Sequence, residues 1–276
     1  MTDATILPLC REALERLTAR VRELDLVTVP DAPVRIIEMP PARRGDGIAY
    51  CDAPGPLEPV GPGGPLPTFF AVAPAPDDWD EGRVRSFYRE YNGHMLRNLT
   101  VHEAMPGHVL QLAHAARYRA ATNVRQAAAS EPFIEGWASF AEELVASAGL
   151  GSDPEEDAAL RLQQLKMRLR TTINAILDVR IHAHGMTEEE AMRLMTRRGH
   201  QEEGEAAGKW RRALLGSAQL STYYVGHRDV SDIARQLAAV HPTWSRRRVH
   251  DAILAHGAPP PRHLRALLEL EEAGLK

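Results

Sequence analysis

The sequence predicts a mainly α chain of the α+β class, with a small β-sheet toward its N-terminal side. Three observations carry that prediction. From Asp80 onward, apolar residues recur at helical spacing almost without interruption. Three short β-rich runs, VRIIEMP, GIAYCDA and TFFAVAP, are confined to residues 34–74 and bounded by Pro and Gly. The composition, 44% hydrophobic and 25% charged over 276 residues, is that of a globular chain long enough to bury a substantial core.

In chain order, the first element is an amphipathic helix over residues 4–26, with Leu9, Leu14, Leu17, Val21 and Leu24 at helical spacing. Pro30 and Pro33 end it. The three runs follow as strands, the last two joined by PGPLEPVGPGGPLP, which its prolines and glycines exclude from regular structure. Helices are then expected over about 80–105, 108–120, 132–148, 155–184, 187–197, 203–221, 229–239, 245–255 and 260–273. The breaks fall at SDPEED, GMTEEE, HPTW and HGAPPP, each with an N-cap or proline signal. No internal repeat is visible. The expected division is an N-terminal helix, residues 1–30, and a single domain over 31–276.

A formal net charge of −4, with basic and acidic residues interleaved along the helices, provides no footprint for nucleic acid or a membrane surface. No apolar run approaches the length of a membrane span. The two cysteines, Cys10 and Cys51, exclude a disulfide scaffold and a thiolate zinc site, and they suit a reducing compartment. The N-terminal residues lack a basic segment followed by an apolar one. Together these features lead to the expectation of a cytoplasmic protein.

The segment that points to chemistry is LTVHEAMPGHVLQ, residues 99–111. His102 followed by Glu103 begins the zinc-hydrolase pattern H-E-x-x-H, but the position four after His102 is Pro106, and the next histidine is His108. On an ideal helix, six residues leave the two imidazoles roughly 240° apart, unable to share an ion. Pro106 has no N–H for the carbonyl of His102, and Gly107 accepts unusual dihedrals. Pro-Gly therefore predicts a break that could bring both imidazoles to one side. On this motif alone, a zinc site and two unrelated helix-end histidines both stand. A third ligand is expected from EPFIEGWASFAEEL, residues 131–144. Glu135 lies among apolar residues, where an unpaired carboxylate would be costly to bury; it is the favoured ligand, with pairing to an arginine as the structural alternative. Glu142 and Glu143 are expected at the surface, and Glu131 as helix-start charge. Further on, Asp178 and His182 stand at i and i+4 and share a helix face, as a salt bridge or as a carboxylate-oriented imidazole.

Through HEAMPGHVLQ and EGWASF, the sequence resembles the bacterial family known as domain of unknown function 885. Its members are identified with gluzincin-type zinc metallopeptidases carrying HEA-x-PGH-x-x-Q and EGWA. The likeness runs from about Val34 to about Leu268 and takes in the strands, INAILDVRIHAHGMTEEEAM and VHDAILAHGAPPP. It implies a helical zinc-metallopeptidase-like catalytic domain with one Zn2+ per chain. His102, His108 and Glu135 would be the zinc ligands and Glu103 the general base. By the same resemblance Asp178 and His182 would form a D-x-x-x-H pair serving an oxyanion, and Tyr223 of AQLSTYYVG would donate to it, with Tyr224 as the alternative register.

Several positions depart from the family's pattern. Val109 replaces a histidine, Phe140 a tyrosine, and Gly216-Ser217-Ala218 a Trp-Pro-Gly segment. About thirty residues precede the first strand where members carry a long helical half. The resemblance thus implies an N-terminally shortened member acting on a small or specialised molecule or peptide, with a homo-oligomer as one way to complete the cleft. Three functions fit these residues: an amide or peptide hydrolase, a non-hydrolytic cyclisation or transfer on the same metal, and an inactive helical binding protein.

Overall fold

The computed structural model describes residues 2–44, 47–58, 66–150 and 153–270. Helix α1 (Asp3–Glu23) turns Ile6, Cys10, Ala13, Leu17 and Val21 inward, a stripe at three- and four-residue spacing. Strands β1 (Val34–Glu38), β2 (Ala49–Asp52) and β3 (Thr68–Val72) form one sheet in the order β1-β3-β2. Strand β1 runs parallel to β3, and β2 antiparallel to it. The TFFAV strand is central because it is apolar on both faces: Phe70 and Val72 join the core under α1, and Ala71 packs with Met39 on the other side. Of the Pro/Gly connector over residues 54–67, residues 59–65 lie outside the described residues, as does the end of the expected 260–273 helix beyond residue 270.

The rest is helical: α2 (Glu81–Glu90), α3 (Gly93–Glu103), α4 (His108–Arg117), α5 (Asn123–Ala127), α6 (Glu131–Ala148), α7 (Pro154–His184), α8 (Glu188–Arg193), α9 (Glu203–Leu215), α10 (Gln219–Val240), α11 (Arg246–Leu254) and α12 (Pro261–Leu267). The expected mainly α class with a small sheet is the one observed. The short helix α5 lies in an expected gap, and two other differences from expectation have a capping reason. The helix expected over 80–105 is two helices, because the Asn92 side chain accepts from the backbone N–H groups of His94 and Met95 and starts α3 afresh. The break expected between 221 and 229 lies instead at residues 216–218, and α10 runs through the expected gap. No local side chain caps α10. Its cap is Asp178 of α7, which accepts from Ala218 N, Ser221 N and Ser221 Oγ. A cap supplied by another helix leaves no mark in the local sequence.

The largest core gathers Phe133 and Trp137 of α6 with apolar residues of α1, α4, α10, α11 and α12. At its centre α6 and α10 cross without side chains between them. A Cβ on Gly226 would stand 2.0 Å from the Pro132 carbonyl oxygen, and one on Gly136 would stand 2.4 Å from the Gly226 carbonyl carbon. This approach brings Glu135 and the N-terminal turns of α10 together. No described helix is long and apolar enough to cross a membrane.

Candidate metal centre

The break between α3 and α4 is built as Pro-Gly chemistry requires. Helix α3 ends at Glu103, Met105–Pro106 is a cis peptide, and His108 opens α4. The chain loops wide of helical pairing: Met105 N donates to Thr100 O, and Gly107 N to Val101 O at 2.9 Å. A Cβ on Gly107 would lie 1.8 Å from the His102 carbonyl oxygen, so only glycine fits there. The detour swings His108 back beside His102, with ring centroids 4.7 Å apart and rings nearly perpendicular. Trp137, two residues after Glu135, fastens the break by donating its indole N–H to the Pro106 carbonyl at 2.8 Å. EGWA thus supplies a carboxylate, a helix crossing and an anchor in three successive residues.

Glu135 completes the cluster. Its Oε2 lies 3.4 Å from His102 Nε2 and 3.5 Å from His108 Nε2. Among the described residues this is the one group of three His, Cys, Asp or Glu side chains whose ligand atoms converge, all within 4.8 Å of one another. A tetrahedral ion held at roughly 2.0–2.1 Å keeps its ligand atoms about 3.3 Å apart, close to the separation of Glu135 Oε2 from each imidazole. The Glu135 Oε2 atom is buried without a hydrogen-bond partner, as a carboxylate oxygen aimed at a cation would be. Two imidazoles and one carboxylate leave a fourth position, the composition of a catalytic zinc site.

The electrostatics agree. Burial raises the Glu135 pKa, but His108 and His102 outweigh it and hold the carboxyl well below its ordinary range. Burial disfavours charge on His102, but Glu135 and Glu142 outweigh it and lift that imidazole well above its ordinary value. Both shifts describe a site that favours positive charge between carboxylates. Glu103 is buried, and its pKa is raised chiefly by that burial, against the pull of both histidines. Burial, and to a lesser extent the Glu103 carboxylate, also pushes up the Cys51 thiol of β2.

Glu142 corrects the surface placement expected for it. It is 3% exposed, and its Oε1 accepts from His102 Nδ1 at 2.7 Å while Oε2 accepts from Asn98 Nδ2 at 2.7 Å. This carboxylate fixes the tautomer that leaves Nε2 free for an ion. The signal was in the spacing: Glu142 is seven residues after Glu135 on the same helix face, and Asn98 is four before His102. Glu143 is the more exposed of the pair and bonds His227 Nε2 at 2.7 Å.

Tyr223 belongs to the site, its ring centroid 6.4 Å from that of His102. Its oxygen accepts from Arg212 at 3.0 Å and from Gln219 Nε2 at 3.2 Å, so its own proton is left to donate elsewhere. Burial and then Glu135 raise its pKa and keep the phenol protonated. Asp178 and His182 are placed differently from expectation. His182 Nε2 is 3.8 Å from Asp178 Oδ1, too far for a hydrogen bond, and instead donates toward the Gly216 and Ala213 carbonyls at 2.9 and 3.0 Å. With Asp178 capping α10, the two residues bind both ends of the α9–α10 turn. They support the helix that carries Tyr223; the pair expected at i and i+4 stays within ion-pair range, but the hydrogen bonds of both residues go to this turn and not to each other.

The family model described as a bacterial protein of unknown function, DUF885, matches residues 1–268. No curated protein matches the chain. Among solved structures, a "putative lipoprotein of unknown function" from Shewanella oneidensis is 31% identical with a TM-score of 0.80, and the match covers 98% of this chain and 46% of that one. A second, described as a "putative lipoprotein" from Colwellia psychrerythraea, is 21% identical with a TM-score of 0.78, covering 96% of this chain and 43% of the other. The chain therefore spans less than half the length of either neighbour. That both are described as lipoproteins overturns the expected cytoplasmic location. The expectation leaned on the N-terminal residues, which are no guide to export in a chain that aligns with only part of its neighbours.

Proposed function

The chain belongs to the bacterial family DUF885, and from that premise we propose that it is a zinc-dependent hydrolase of an amide or peptide bond. The observation that carries the reading is the convergence of His102 Nε2, His108 Nε2 and Glu135 Oε2 at 3.4 and 3.5 Å, with buried Glu103 beside them. These three residues would hold the ion. When bound, zinc supplies a Lewis acid for the scissile carbonyl and lowers the pKa of a water to about 7.

The chain's own groups carry the proton and position the substrate. Glu103, directly after a ligand, takes the proton from water and delivers it to the leaving amine. Tyr223 donates to the oxygen that gains negative charge, with Arg212 and Gln219 fixing its orientation. Glu142 and Asn98 hold His102, and Asp178 and His182 hold the start of α10. Strand β2 packs against α3 and lies at one edge of the described sheet, where an extended peptide backbone has hydrogen-bonding groups to meet.

Elemental mass spectrometry of the purified protein and three variants tests the reading. About one zinc per chain is expected in the wild type and in Glu103→Gln. Glu135→Ala and His108→Ala should lose it while circular dichroism stays helical. Glu103→Gln, metal-loaded, should lose about 10²–10⁴-fold in the hydrolysis of amide or peptide substrates, with label from ¹⁸O-water entering the wild-type product. A wild type that takes up no metal when zinc is supplied would sink the proposal.

A further inference from the structure

Helix α7 is apolar on two faces. One packs inward through Leu160, Ile173 and Leu177. The other faces solvent and reads Ala158, Leu162, Leu165, Leu169, Thr172, Ile176, Val179, Ala183. The steps between these residues alternate strictly between four and three, the repeat of a coiled-coil seam. Leu162 is 65% exposed, Leu165 48%, Leu169 37%, Ile176 38% and Val179 54%. At 1.5 Å per residue the seam is about 38 Å long. Thr172 returns its hydroxyl to the Arg168 carbonyl at 2.9 Å, which answers the side chain's polar group within α7 itself. Scattered apolar residues on a surface need no explanation, whereas a continuous seam with the period of helix pairing marks an interface.

The seam's own order indicates what covers it. About a two-fold axis between residues 170 and 171, an antiparallel second copy would place Ala158 opposite Ala183, Leu162 opposite Val179, Leu165 opposite Ile176 and Leu169 opposite Thr172. Small residues meet small ones at the ends, and the large ones meet in between. The same arrangement brings the exposed Glu155 in the acidic first turn of one copy within one turn of the exposed His184 in the last turn of the other, and it opposes the two helix dipoles. We propose that this chain associates with a second copy of itself through the α7 seam, as an antiparallel helix pair centred near Leu169 and Thr172.

Sedimentation equilibrium of the 276-residue chain should show twice the 30.5 kDa chain mass at tens of micromolar. Leu165→Glu/Ile176→Glu should sediment as a monomer with unchanged circular dichroism and thermal melting. Under oxidation, Leu165→Cys/Ile176→Cys should form a covalent dimer, whereas either cysteine alone should not. Three results would each overturn the proposal. The first is a monomer at every concentration, which would leave the seam to a helix from elsewhere in a longer polypeptide. The second is a dimer that survives the double glutamate substitution, and the third is equal cross-linking by the single-cysteine variants.

Discussion

At the scale of the residue, Glu142 matters most beyond the three convergent ligands. It is not one of the three residues that would hold the ion. It decides which nitrogen of His102 carries the proton, and Asn98 decides how Glu142 is oriented. Removing such a partner from a ligating histidine typically costs 10–100-fold in metal affinity. Glu142→Ala is therefore expected to weaken zinc binding by about that factor in a competition titration with a chelating dye. Glu143→Ala, one residue away but bonded to His227, should leave the affinity unchanged. Equal effects of the two substitutions would count against the orienting role.

At the scale of the element, the site depends on two places where backbone must approach backbone. Gly107 lets the α3–α4 break fold over the end of α3, and Gly136 with Gly226 lets α6 lie directly on α10. Trp137 ties these together, because its indole on the Pro106 carbonyl links the helix bearing Glu135 to the break between the histidines. Gly226→Ala would push a methyl to within 2.0 Å of the Pro132 carbonyl oxygen, a rigid backbone atom. The expected cost is about 3 kcal/mol or more, at the upper end for overpacked cores. Urea unfolding should show that loss, and zinc content should fall with it as Tyr223 and Glu135 separate. Ala206→Gly, also buried but in the separate core of α7, α8 and α9, should leave zinc content intact.

At the scale of the whole molecule, the three proposed ligands come from three elements: the end of α3, the start of α4 and the first turns of α6. An ion bound there would clamp the histidine segment to the largest core. Binding to the folded state alone stabilises by RT ln(1 + [L]/Kd), about 4 kcal/mol at a thousandfold excess over Kd. For a chain of this length that is an upward shift of roughly 8–15 °C in the melting temperature. Calorimetry of zinc-loaded and chelator-stripped protein checks this, with His108→Ala as the variant that should show no shift. Equal melting of loaded and stripped wild type would remove the clamp.

The sequence by itself determined the mainly α class, the three strands, and the candidate set His102, Glu103, His108 and Glu135. Each of these was legible because it rests on local chemistry: periodicity, a proline that lacks its N–H, a glycine that accepts unusual dihedrals, a carboxylate among apolar residues. Tertiary structure alone decided what depended on partners distant in the chain. Glu142 looked like surface charge because its neighbours are polar, and only the packing of α6 on α3 buries it against His102. Asp178 and His182 looked like a pair because they share a helix face, but the α9–α10 turn offers closer partners to both. The start of α10 could not be read locally, since its cap arrives from α7, forty residues upstream of Ala218. Spacing along a helix fixes which side chains share a face, but only the fold decides which donors and acceptors that face will meet.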